Sequence, residues 1–90
     1  MRLLKIAVIF TLSRVIHVKN KEVIKAVGSR IRELRVQSGM SQEALSHEAD
    51  IPLSQIGRIE RGETNPTVST LHVIAQALGT DLKTLVDISL

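Results

Sequence analysis

"SQEALSHEADIPLSQIGRIERG", Ser41 to Gly62, decides the fold. Two helix-period runs lie on either side of Asp50-Ile51-Pro52. Leu45 and Ala49 give the first run one apolar side, and Ile56 and Ile59 give the second run another. The residues between them break the pattern. Ile51 is pushed away from helical angles by the proline that follows, while Pro52 suits the first position of a new helix. Helices shorter than about 12–15 residues are marginal in water, so each of these must be held by packing. Leu45, Ala49, Ile51, Ile56 and Ile59 can meet in one small core if the two helices cross steeply.

Working outward, the same logic extends in both directions. From Glu22, Val23, Val27, Ile31 and Leu34 form one stripe of an amphipathic helix, with Lys25, Arg30 and Arg32 on its polar side. Gly39 stops that helix, and Ser41 is a natural cap for the next, with Met40 and Leu45 spaced as a hydrophobic staple. The second helix runs to about Ala49, and Gly62 closes the third. Pro66-Thr67 opens a fourth, capped by Thr67, whose stripe is Leu71, Ile74, Ala75 and Leu78; Gly79 ends it. Thr80 is the expected cap of a short last helix containing Leu82, Leu85 and Val86. The fold class expected is all-α: one five-helix domain over 22–90, with an additional N-terminal segment over 1–21.

Composition agrees and narrows the function. The chain is 43% apolar but only 1% aromatic, with one Phe, which leaves no rings to stack on unpaired bases. There are no cysteines, and His17, His47 and His72 share no ligand spacing, so neither a metal nor a cofactor is expected. The net charge of +3 is unevenly placed. Residues 1–21 carry five basic residues and no acids, while residues 22–90 carry seven basic and nine acidic ones, a net −2. Any DNA contact by the folded region must therefore come from a focused face.

The N-terminal stretch "MRLLKIAVIFTLSRVIHVK" fits no template well. Its run Ile6–Phe10 is far short of the about 20 apolar residues that span a bilayer, so no membrane contact is expected. A basic start before an apolar centre faintly resembles a signal peptide, but no small-residue cleavage pattern follows. The β-branched content permits a strand, and Leu3, Ile6, Ala7 and Phe10 permit a helix. An element covering the core, a dimer contact, and upstream sequence without a role are the readings that stay open.

Two short helices crossing through a three-residue turn form a helix-turn-helix, whose second helix lies in the DNA major groove. Leu53, Ser54, Gln55 and Arg58 face away from the small core near the start of that helix. Arg pairs bidentately with guanine, Gln with adenine, Ser with either, and Leu can touch a thymine methyl. Ser41 to Leu78 resembles the phage-repressor (Cro/CI or Xre-type) helix-turn-helix family, with the lambda-repressor-like fold. The likeness is carried by Ser41-Gln42, Leu45, Ile56, Ile59-Glu60-Arg61-Gly62, Pro66, Thr70-Leu71 and Ile74-Ala75-Gln76-Ala77-Leu78. With the flanking helices it covers roughly 22–88.

The resemblance implies roles by position. Leu53, Ser54 and Arg58 match base-reading residues, with Gln55 beside them. Gln42 matches a residue that touches phosphate and supports the recognition helix, and Ser41 opens that helix's neighbour as its cap. Thr64, Asn65 and Thr67 match the loop and helix start that reach the phosphate strand. Arg35 and Glu60 match a partly buried ion pair. There are departures. Asp50 stands where the turn usually has Gly, Ser46 replaces an Ala at the helix crossing, and Pro52 replaces a Ser or Thr cap. Leu53 stands where many repressors carry Gln, which argues against direct adenine reading there.

The expected function is sequence-specific binding of a palindromic double-stranded DNA operator by a cytoplasmic transcriptional regulator, a repressor acting as a homodimer. Leu85, Val86, Ile88 and Leu90, in an apolar C-terminal stretch, are the expected dimer contacts. The alternative is the same fold serving as a protein-binding module, an antitoxin or antagonist with a protein partner. No nucleophile–base pair suggests an enzyme, and Glu60 beside an Arg is not an acid–base pair.

Overall fold

The computed structural model describes residues 20–90. The expectations for residues 1–19, including the contact surface at Leu3–Phe10, lie outside the described residues. Helix α1, Lys21–Gln37, starts where the Asn20 side chain accepts the Val23 amide at 3.1 Å. Its inner face buries Val27, Gly28 and Ile31, with Val23 and Leu34 half-buried beside them.

Helix α2, Gln42–Ala49, is capped by Ser41, whose Oγ accepts the Ala44 amide at 3.0 Å. Met40 packs against the core into which Leu45 sinks completely. Asp50 then takes the left-handed conformation, φ 54° and ψ 46°, that glycine adopts more cheaply. Ser46 secures this turn: its hydroxyl donates to the Ile51 carbonyl at 2.6 Å, and the Ile51 amide donates to the Ser46 carbonyl at 3.1 Å. An alanine at position 46 would keep only the second of these bonds.

Helix α3 is Leu53–Glu60. Pro52 caps it rather than occupying its first helical position, because its ψ of 139° is extended. Its ring offers no capping side chain, so its carbonyl takes that role, accepting the amides of Gln55 and Ile56. Helix α4, Val68–Ala77, begins under Thr67, whose Oγ1 accepts the Thr70 amide at 3.1 Å.

The last helix, α5, Leu82–Leu85, is capped by Asp81 and not by Thr80. Asp81 Oδ1 accepts the Thr84 amide at 2.7 Å, and the hydrogen bond to Thr84 holds the Asp81 carboxyl below its ordinary pKa. Thr80 belongs to the preceding helix instead: its amide donates to the Ala75 carbonyl at 2.9 Å and closes α4.

Ile31, Leu45, Ile56, Ile59, Ile74 and Leu85 are the large side chains at the centre of one core. Helix α1 packs on α3 and α5, α2 packs on α3 and α4, and α4 packs on α5. Leu85 corrects an expectation, for it is fully buried within its own domain and cannot meet a partner. The reason is the placement of α5 across α1 and α4, tied by Arg30 Nε donating to the Thr84 carbonyl at 3.2 Å. Leu82 and Ile88 are half-buried against the same core. Of the apolar C-terminal residues only Val86 and Leu90 stay well exposed.

Candidate nucleic-acid interface

Helix α3 divides cleanly. Ile56, Gly57, Ile59 and Glu60 face inward, while Leu53, Ser54, Gln55 and Arg58 are exposed. Ser54, Gln55 and Arg58 line an open cleft of about 370 Å³ whose far wall includes Thr64, Asn65 and Thr67. The cleft thus brings together three of the four expected base-reading residues and all three loop residues. Leu53 is exposed at the helix start but stands outside that lining.

The supporting layer lies beneath. Arg35 Nε and Nη2 donate to Glu60 Oε2 and Oε1 at 2.7 and 2.9 Å, a bidentate pair. The Glu60 side chain is only 2% exposed and that of Arg35 11%. Arg35 Nη1 also donates to the Met40 carbonyl at 2.9 Å, so one guanidinium joins α1, the turn before α2, and α3. The hydrogen bond with Glu60 is the main reason the Arg35 pKa is raised further. Gln42 Nε2 completes the cluster by donating to Glu60 Oε1 at 3.1 Å. One amide hydrogen of Gln42 is therefore engaged in holding α3, and the other is left for an outside acceptor.

The remaining polar groups differ in how committed they are. Ser41 Oγ and Thr67 Oγ1 each accept a backbone amide; the Ser41 hydroxyl proton can still turn elsewhere, while Thr67 Oγ1 also shares a hydrogen bond with Thr70 Oγ1 at 2.9 Å. Thr64 Oγ1 is buried and has no hydrogen-bond partner among the described residues. Asn65 is exposed beside it. The ion pairs among the described residues are Arg30–Glu33, Arg35–Glu60 and Arg61–Glu63. Arg58 is therefore a cation in the cleft with no carboxylate partner there. Among the described residues no three His, Cys, Asp or Glu side chains gather where they could hold a metal ion. No helix there is long and apolar enough to cross a membrane.

Two residues that set this geometry escape a reading of the sequence. Ser46 reads there only as a departure at the crossing, yet its hydroxyl ties the turn. Gly28, beside Val27 in the first helix, is not singled out by the stripe of Val23, Val27, Ile31 and Leu34. Its signal is nonetheless present, since an isolated glycine inside such a stripe usually has a packing reason.

Five short helices, with α2 and α3 crossed through a tied turn and an exposed polar face on α3, define a helix-turn-helix protein. The Helix-turn-helix family profile matches residues 31–85, and the chain belongs to that family. An HTH-type transcriptional regulator from Sinorhizobium fredii is 42% identical over 55 residues, which are 61% of this chain and 71% of that protein. The restriction-modification controller protein C.AhdI from Aeromonas hydrophila superposes with a TM-score of 0.67 at 34% identity, covering 71% of this chain and 96% of that one. The controller protein C.Esp1396I, as a tetramer in complex with its natural 35 base-pair operator, superposes with a TM-score of 0.64 at 25% identity, covering 71% and 93%.

Proposed function

We propose that this protein is a transcriptional regulator that binds duplex DNA sequence-specifically, inserting α3 into the major groove as one half of a two-fold homodimer. The observation that carries the reading is the cleft where Ser54, Gln55 and the carboxylate-free Arg58 meet Thr64, Asn65 and Thr67. One wall offers groups that match base edges, and the other offers groups that match a phosphate strand. The relatives support it: one is called a transcriptional regulator, and another is bound to its operator as a tetramer. The protein-binding alternative has no comparable observation behind it.

Selection of bound sequences from a random duplex pool tests the proposal. The expected product is a pair of inverted half-sites about 10 base pairs apart, centre to centre. A pool without enrichment, together with no salt-dependent duplex binding, would favour the antitoxin-like or antagonist reading instead.

Two variants assign the walls. Arg58→Ala should cost about 1–3 kcal/mol on the selected operator and relax the preference at one base pair. An equal loss on every sequence would mark Arg58 as a phosphate contact. Thr64→Val removes the hydroxyl while keeping the shape. A buried hydroxyl without a partner costs stability, so the valine variant should melt no lower than the parent. If the loop turns this hydroxyl out to a phosphate when DNA is bound, operator affinity should still fall about tenfold per half-site, for one missing hydrogen bond to a charged group of roughly 1.5 kcal/mol. Unchanged affinity in a titration would remove Thr64 from the residues that touch DNA.

A further inference from the structure

A second cleft, of about 390 Å³, lies on the other side of the α3–α4 loop. It is lined by Lys21, Ile24 and Lys25 from the start of α1, and by Gly62, Glu63, Thr64 and Asn65. Thr64 and Asn65 line the recognition cleft as well, so this loop is a shared wall between the two.

The charges in the second cleft are lopsided. Its one carboxylate, Glu63, is paired with Arg61 on the same loop. Lys21 and Lys25 form no ion pair among the described residues. Residues 1–19 contain no acid that could pair with them. Two further clefts lie elsewhere on the surface. One sets Lys83 against Asp81 and Asp87, and the other sets Arg32 against Glu33 and Glu60. In the last of these Glu33 is taken by Arg30 and Glu60 by Arg35, which leaves Arg32 as a single unpaired cation, as Arg58 is in the recognition cleft. Of these four clefts only the one at the start of α1 holds two unpaired cations, Lys21 and Lys25, and no free carboxylate.

Lys25 is also held in register with α3. A Cβ at Gly62 would lie 2.7 Å from Lys25 Cγ and 3.0 Å from its Cα. The lysine stem therefore rests on the glycine that ends the recognition helix, and only the bare backbone there lets it approach. The base of the lysine is thus seated against the end of α3, while the rest of its side chain is exposed to solvent.

Resting on the DNA-binding reading above, we infer that Lys21 and Lys25 form a second backbone contact, binding phosphates that flank those reached by Thr64 and Asn65. The ligand is the phosphodiester chain of the duplex, recognised by charge and not by sequence. This contact lengthens the footprint beyond the base pairs read by α3. It also gives a domain with net −2 over residues 22–90 a local attraction for a polyanion.

The test uses the full chain with Lys21→Gln and Lys25→Gln combined, titrated onto the selected operator over a range of salt. Each phosphate that is no longer neutralised should flatten the slope of log K against log salt by about 0.9, and a homodimer brings four of these lysines to the operator, so the double variant should be shallower by about 3.6. Affinity should fall by the same factor on the operator and on its single-base variants. Lys21→Arg with Lys25→Arg should keep the parent slope. An unchanged slope in the glutamine variant, or an equal flattening in the arginine variant, overturns the inference. If the parent chain binds no duplex at all, the DNA-binding proposal fails first, and the two failures are distinguished by that control.

Discussion

Glu60→Ala is expected to lower the melting temperature sharply and to abolish operator binding with it. The carboxylate accepts three hydrogen bonds, two from Arg35 and one from Gln42, in a site nearly closed to water. Removing it leaves the buried Arg35 guanidinium without its counter-charge, a loss of about 3–5 kcal/mol. For a domain of this size each kcal/mol moves the midpoint by about 4–8 °C, so a drop of more than about 12 °C is expected. Binding falls because the missing bonds join α1 and α2 to the end of α3, and the reading face is the other side of that helix. Glu60→Gln keeps the shape and some of the hydrogen bonds, and should melt between the two.

The pair need not raise stability relative to an apolar core. Replacing Arg35 and Glu60 together by Met and Leu removes both charges at once, and such swaps are often neutral or stabilising. The double variant should therefore melt well above Glu60→Ala alone. What it should lose is the fixed angle of α3, since apolar packing does not dictate one geometry as a bidentate pair does. Thermal melts of the three variants decide the matter. A Glu60→Ala protein that melts normally yet fails to bind would show that the residue acts on DNA and not on the fold.

How much of this is legible in the sequence depends on the range of the interaction. Stripes such as Val27–Ile31 and Leu71–Ile74–Ala75 are local, and their apolar spacing yields the helices and the inward faces. Ser41 and Thr67 are legible as caps because a cap bonds an amide only three residues on. Thr80 fails as a cap by one residue. Asp81 and Thr80 are both good capping types, and only the closure of α4 by the Thr80 amide decides between them. Leu85 reads as surplus because a one-turn helix looks too short to bury much. Its neighbours α1 and α4 are distant in sequence, and nothing local says that they enclose it. In the candidate site the residue types on α3 are readable from their distance to Ile56 and Ile59. The engagement of Gln42 with Glu60, eighteen residues away, is readable only by resemblance. The partnerless hydroxyl of Thr64 and the lysine cleft depend on how the α3–α4 loop sits, which no periodicity encodes.

Gly28→Ala should destabilise the protein by about 3 kcal/mol, the upper part of the range for overpacked cores. The direction opposes helix propensity. In the middle of an exposed helix, alanine in place of glycine gains roughly 1 kcal/mol. Here the new Cβ would sit 2.3 Å from the Ile59 carbonyl oxygen and 2.9 Å from that of Glu60. Both obstacles are backbone, so no rotamer change relieves them, and α1 must move away from α3. That movement strains the Arg35–Glu60 pair, which spans the same two helices. It also shifts Lys25 from its seat on Gly62. The variant should therefore melt at least about 12 °C lower, by the same conversion of kcal/mol to midpoint. Gly39 provides the contrast, since a Cβ there meets no atom within 4 Å and only its positive φ opposes a side chain. Gly39→Ala should thus cost only about 1–2 kcal/mol, the penalty of a left-handed L-residue. Calorimetry on the two variants separates a close helix crossing from a turn conformation. Equal melting points, or a Gly28→Ala protein as stable as the parent, would mean that α1 and α3 do not approach each other closely enough at this crossing to require a glycine.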